Sequence, residues 1–236
     1  MQIRSADNMQ TAAGSRLPNN LQKGLLSGVV IALVLILFGR LLIPTTALIS
    51  VASSATILLV YGWLAVIGPS RLYRRHADIL RMAIRFGLLA SAVFAGEVLL
   101  EYVLLPADNT LFGLVEFGTV FILYFAAAFV VAQRTGSLRN ALLSSVASAL
   151  IASLLWAIIV LTVFYLFRGL AQQALVLRAE GDYDDFARSG LSDFNAFIME
   201  DFMGATFYHL LLGPLVAAVL GILGGLLGKT VRLIKK

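Results

Sequence analysis

Apolar residues in this chain come in long runs rather than in the alternations or half-faces of a soluble domain. Six runs are of membrane length: 24–43, 47–68, 79–105, 111–132, 141–167 and 202–227. A helix of about 20 apolar residues crosses the roughly 30 Å hydrocarbon core, so each run predicts a transmembrane helix. The connections between them are short and carry Gly, Pro or charged residues, with one exception, the stretch 168–201. The predicted fold class is therefore all-α, a polytopic integral membrane protein with six transmembrane helices. Residues 1–23 are polar, contain Gly14, Pro18 and Asn19-Asn20, and show no apolar period, which predicts a flexible tail. Residues 229–236 form a basic tail. The first run is longer than the ~7–15 residue core of a signal peptide and lacks a small-x-small site after it, so it is expected to be retained.

Finer patterns set further expectations. Gly68-Pro69 should close the second span, and Gly213-Pro214 should kink the sixth. Pro106 to Asn109 should turn the third span directly back into the fourth. In 168–201, Phe194, Phe197, Ile198 and Phe202 recur at helical spacing, an apolar stripe suited to the membrane interface. In the fifth span Ser144, Ser148 and Ala152 recur every four residues, as do Gly221 with Gly225 and Gly224 with Gly228 in the sixth. Small residues at that interval let helix backbones approach closely. Leucine at these glycines should disrupt the packing, and alanine should be milder.

Composition agrees with the pattern: 60% of the 236 residues are hydrophobic and only 13% charged, half the share of a typical soluble domain. The absence of cysteine excludes disulfides, thiolate metal sites and cysteine nucleophiles. His76 and His209 are too few for a histidine-rich metal site, although carboxylates could complete one, so a metal is left open.

The net charge of +5 reads as orientation rather than nucleic-acid binding. Fourteen of the eighteen Lys and Arg lie in the first 23 residues, in the segment after the second span with the first turns of the third (Arg81 and Arg85), in the segment after the fourth span, and in the C-terminal segment. With six spans, all four segments fall on one side, which the positive-inside rule makes cytoplasmic. The expected location is the inner cell membrane, multi-pass, with both termini in the cytoplasm. The stretch 168–201 holds seven acids against three arginines and becomes an acidic outer loop.

The candidate chemistry lies inside the spans. Glu97 and Glu101 share a face of the third span, Glu116 lies in the fourth and His209 in the sixth. At 1.5 Å per residue, Glu101 lies roughly 6 Å, Glu116 about 7–8 Å, His209 about 10 Å and Glu97 roughly 12 Å from the outer end of its helix. Ionisable groups at such depth cost about 2.5–3.5 kcal/mol each on insertion scales, so they face protein, water or a ligand. Together they predict a cation or proton site in the outer half, with Arg40 near the end of the first span as counter-charge. The opposing reading is structural. Glu101, Glu116 and Arg40 are shallow enough to snorkel, and His209 beside Tyr208 could be an interhelical hydrogen-bonding residue; only Glu97 is too deep for that.

Motif-like stretches do not add catalysis. Gly224 to Thr230 lacks the first glycine of a phosphate loop, since Leu223 stands in its place. Asp182 to Phe186 departs from a calcium loop at Phe186. No zinc-protease motif and no serine–histidine arrangement stands out, so the expectation is a non-enzyme with no cofactor. Two functional readings follow: a small transport or permeation component, or a non-catalytic assembly, scaffold or sensor subunit of a larger membrane complex. The expected partners are the lipid bilayer and either further copies of the chain or another membrane protein, with no nucleic acid.

Overall fold

A computed structural model of the chain describes residues 3–105 and 110–235, with side chains from Leu17 onward. Its helices are α1 (Ile3–Leu42), α2 (Leu48–Arg75), α3 (Ala77–Leu104), α4 (Thr110–Thr135), α5 (Leu138–Phe167), α6 (Ala171–Glu180), α7 (Asp182–Ser189) and α8 (Phe194–Ile234). Six of these are long and apolar enough to cross a membrane: α2, α3, α4, α5 and α8, and α1 from Leu17. The turn expected at Pro106 to Asn109 lies outside the described residues.

Contacts between pairs of residues fix the directions. Ser54 meets Met203 and Tyr61 meets Leu210, so α2 and α8 run parallel. Gly28 packs on Leu154 and Leu35 is bonded by Tyr165, so α1 runs parallel to α5. Gly87 packs on Ile151 and Phe94 on Trp156, which gives α3 the same direction. Phe125 meets Gly224 and Phe129 meets Gly228, so α4 follows α8. Ser153 against Gly213 and Leu138 against Gly225 set α5 antiparallel to α8. One end of the bundle thus collects Arg71, Arg74, Arg75, Arg134 and Arg232; the other collects α6, α7 and their acids.

At the centre stands α5, with 56% of its apolar window buried against 22–33% in the other five. It touches α1, α3, α4 and α8. Small residues make this possible, because Ser144, Ser145, Ser148 and Ser153 are all buried. The Ser145 hydroxyl faces carbonyls on both neighbours, 3.0 Å from that of Tyr124 and 2.7 Å from that of Ala217. A hydroxyl buried in an apolar bundle needs such an acceptor, and backbone carbonyls of adjoining helices supply it.

Several boundaries differ from the sequence expectation. Helix α1 reaches back to Ile3 through most of the segment expected as a tail. Gly68-Pro69 does not close the second span: α2 continues through a buried Pro69 to Arg75. A proline costs one intrahelical bond, which a long packed helix can absorb. The break falls instead at His76, whose extended backbone (φ −167°, ψ 122°) ends α2 and whose Nδ1 accepts the Asp78 amide to start α3. Helix α8 carries Pro214 within it and begins eight residues before the expected Phe202, at Phe194.

The acidic loop is helical too, folded over the end of the bundle. Asp193 caps α8 by accepting the amides of Asn195 and Ala196, and it also accepts the Thr45 hydroxyl at 2.6 Å. Glu200 accepts the Ala47 amide at 2.7 Å, which clips the α1–α2 turn to the first turns of α8. The Phe194–Phe202 stripe faces inward rather than along an interface. Ile198 is buried, Phe194 and Phe197 pack with Phe186 of α7, and Phe202 packs with Phe164.

The glycines of α8 are consumed within the chain. A Cβ on Gly224 would strike the Phe125 carbonyl, and one on Gly228 would strike the Phe129 carbonyl. Gly221 and Gly225 lie against α5, where a Cβ would come within 3.0 Å of Ser145 and 2.6 Å of Leu138. At Gly224 and Gly228 the obstacle is backbone, which cannot rotate away, so alanine there is no milder in kind than leucine. G224A and G228A should each destabilise the purified protein by about 1–3 kcal/mol, the usual cost of overpacking, read as a fall in melting temperature in detergent. G118A, on α4 where nothing lies within 4 Å, should be neutral or gain up to about 1 kcal/mol from helix propensity. Equal melting temperatures for all three would show that α4 and α8 do not meet through these glycines.

Candidate functional site

At the acidic end, α3, α4, α5, α6 and α8 surround a cleft of about 860 Å³, counted out to its open mouth. Five carboxylates line it: Glu97 and Glu101 from α3, Glu116 from α4, Glu180 from α6 and Asp201 from α8. Among the described residues no lysine or arginine lines it. His209 and the aromatic rings of Phe117 and Trp156 are part of the same wall.

The helices dictate this convergence. Glu97 and Glu101 are one turn apart on α3 and share a face of the helix. Antiparallel pairing of α3 with α4 brings Glu116, in the second turn of α4, to the same level. Glu101 is 7% exposed and Glu116 6%, whereas Glu97 is half-buried. The sequence expectation is thus reversed: the two glutamates close enough to the helix ends to snorkel point inward, and the deeper Glu97 is the more open. The reason is the cover at this end. Helix α6 folds back onto α3 and α5, with Val176 packed against Val98, Tyr102 and Val163, so depth along the helix no longer measures access. Glu116 Oε1 is fully enclosed and has no hydrogen-bond partner.

His209 is placed by rings rather than by a hydrogen-bonded neighbour. Its imidazole stacks on Trp156 with centroids 3.6 Å apart and planes 9° apart. Phe94 and Phe117 flank it at 5.8 and 6.0 Å. This aromatic group forms the inner wall of the cleft. His209 and Phe117 also border an apolar cavity beyond it, near Tyr124 and Ser153.

Of the residues singled out in the sequence, Glu97, Glu101, Glu116 and His209 therefore come together. Arg40 does not join them: it ends α1, which packs on α2 and α5, and it is absent from the cleft wall. Gly221, Gly224, Gly225 and Gly228 are packing residues toward the opposite end of α8. Glu180 and Asp201 were missed because 168–201 was taken for a solvated loop. The signal available was the helical character of the segment now seen as α6, whose Gln173 ties it to the bundle. Its side-chain amide donates to the Phe164 carbonyl at 3.3 Å and accepts the Gly169 amide at 3.0 Å.

Electrostatics at the cleft mouth follow from crowding. Glu180 is exposed, yet the chain packed about its carboxyl, and then the negative charges of Glu101, Asp182 and Asp201, raise its pKa from the ordinary 4.5 to about 8, a shift that solvent screens. Asp182, buried beside it, is raised to about 6, by burial first and then by Asp201 and Asp185. Asp193 moves the other way: the Thr45 hydroxyl and the backbone amides of Ala196 and Asn195 favour its charged form.

Among the described residues, no three Asp, Glu or His side chains are grouped closely enough to hold a metal ion. The cleft is acidic without being a coordination cage. The chain matches no protein-family model, no curated protein and no solved structure. Its chemistry rests on the residues of the cleft.

The raised acids predict the sign of a pH dependence. Between pH 4.5 and about 8 the folded protein binds more protons at Glu180 than the unfolded chain does, so stability falls as pH rises through that window. Asp182 adds to the slope between its ordinary 3.8 and about 6. Melting temperature in detergent should therefore drop from pH 5 to pH 8, and E180Q should flatten the curve above pH 6. An E180Q profile parallel to that of the parent would show that Glu180 is not crowded by its neighbours.

Proposed function

We propose that the chain is a six-span protein of the inner cell membrane and a small transport or permeation component that admits a proton or another cation through the acidic cleft. One observation carries this reading: five carboxylates from four helices, Glu116 among them with an oxygen unpaired among the described residues, line one cleft that no described lysine or arginine lines. Acids crowded together in a low-dielectric bundle are costly unless a proton, water or cation offsets their charge. The missing coordination cage favours a proton or a cation that keeps its own shell over a bare divalent metal. Arg40 does not line the cleft and has no part in this mechanism.

Orientation supports the same reading. The basic end belongs in the cytoplasm by the positive-inside rule, with both termini there, so the cleft opens outward. The alternative, a non-catalytic assembly or sensor subunit, drew on the glycine and serine stripes as partner-binding faces. Those stripes are buried against α4, α5 and α8 of this chain and leave no such face free.

Two measurements check these proposals. Single cysteines introduced into this cysteine-free chain report sidedness directly. A membrane-impermeant thiol reagent added outside intact cells should label a cysteine replacing Asp184 and miss one replacing Ser137 or Lys235; the opposite pattern overturns the orientation. In liposomes, E97Q and E116Q should each lower pH-dependent cation flux at least tenfold while leaving the elution profile and melting behaviour intact. Flux in both variants equal to that of the parent at every pH would sink the transport reading.

A further inference from the structure

Glu97 and Glu116 each border two spaces. One is the acidic cleft; the other is a groove of about 690 Å³ between α3 and α4, walled by Val93, Gly96, Leu100, Phe112 and Val115. Its rim points away from the bundle: Leu100 is 44% exposed and Val115 61%, and no atom lies within 4 Å of where a Cβ on Gly96 would be. In the membrane orientation proposed above, this groove opens sideways to the outer leaflet. Two glutamates therefore stand between lipid on one side and an acidic, water-facing cleft on the other. Glu116 is 6% exposed, and its Oε1 has no hydrogen-bond partner among the described residues.

A small inorganic cation would make no use of this layout. It could reach the cleft through the outward mouth, and an ion that sheds its water needs a shell of several oxygens, for which no three acid or histidine side chains are grouped among the described residues. An organic cation has different needs: net negative charge near its head, apolar wall for its body, and aromatic faces for a diffuse positive charge. All three are present. Glu97 and Glu116 supply the charge, the α3–α4 groove the apolar wall, and Phe117 and Trp156 the ring faces on the cleft side.

We propose that this site takes an amphiphilic organic cation, an ammonium or phosphonium centre on an apolar body, which enters sideways between α3 and α4 and lays its charge against Glu97 and Glu116. The proposal rests on the cleft reading given above and names its substrate class. The apolar body partitions into the outer leaflet first, so the groove meets the ligand already concentrated and oriented with its charge near the interface. Passage from groove to cleft then exchanges lipid for water around the head while the two carboxylates hold it.

The test uses the purified full-length chain in phosphatidylcholine nanodiscs, with tetraphenylphosphonium as the amphiphilic probe and tetramethylammonium as the hydrophilic one. Empty nanodiscs give the background partitioning. Tetraphenylphosphonium should bind saturably, at least tenfold tighter than tetramethylammonium. E97Q and E116Q should each weaken it at least tenfold. G96W should do the same by filling the groove without changing any charge, and L100W provides an independent block should G96W fail to fold. Saturable binding that is lost in the glutamine variants but unchanged in both groove variants would overturn lateral access. No saturable tetraphenylphosphonium binding, in a protein whose liposome flux still depends on Glu97 and Glu116, would overturn the organic-cation class and leave the transport reading standing. Absence of both binding and flux would remove both.

Discussion

The close approach of α4, α5 and α8 is the constraint on which the rest of the bundle depends. It is made by groups that have almost no side chain: Gly224 and Gly228 against the carbonyls of Phe125 and Phe129, Gly221 and Gly225 against α5. Ser145 then bridges the carbonyls of α4 and α8 from the middle helix. In an apolar solvent the hydrophobic effect does not drive helices together, so contact distance and a few buried hydrogen bonds decide which helices are neighbours. These contacts all lie toward the basic end. Toward the other end the same three helices carry Phe117, Trp156 and His209, and the stacked rings hold them apart. Tight packing at one end and an aromatic wedge at the other leave a cleft where the acids are.

Apolar run length gave the six spans, because a helix that must bury every backbone amide leaves little choice of conformation. Local punctuation misled. Gly68-Pro69 has the look of a stop, yet α2 carries on to Arg75, since a proline removes one bond among many in a packed helix. The real break is His76, an ordinary residue in an extended conformation that no composition rule marks. Acidity misled in the same way. Seven acids in 168–201 suggested a solvated loop, whereas α6, α7 and the start of α8 are tied down by Gln173, Asp193 and Glu200. Single side-chain bonds across more than a hundred residues, such as Thr45 to Asp193, have no trace in local pattern.

The site was legible to the extent that it depends on rarity. Glutamates inside apolar runs are few enough that Glu97, Glu101 and Glu116 stand out, and helix geometry puts them at one level. Depth along a helix, however, is a one-dimensional quantity, and burial is set by what folds over the end. That is why Glu116 is more enclosed than Glu97, and why Glu180, outside any span, completes the wall. His209 was legible as an intramembrane polar residue but not as a member of an aromatic stack, since Phe94, Phe117 and Trp156 come from three other helices.

The two ends of the bundle handle charge in opposite ways. At the basic end Asp78 is shared between Arg81 and Arg134, each at 3.8 Å, and the Arg232 guanidinium caps the Arg134 carbonyl at 3.0 Å, so an acid and a helix terminus are both compensated from within the chain. At the acidic end the rim is compensated from within the chain: Asp193 has Thr45 and its own cap, Asp185 pairs with Arg188, and Glu200 holds an amide. The cleft wall gathers five carboxylates beside His209 and, among the described residues, no lysine or arginine. On the transport reading proposed above, a proton or cation that enters the cleft offsets the negative charge its wall gathers. By linkage, a cation that binds there in the folded state alone stabilises the bundle by an amount that grows with its concentration relative to its Kd, so folding and ligand recognition draw on the same carboxylates.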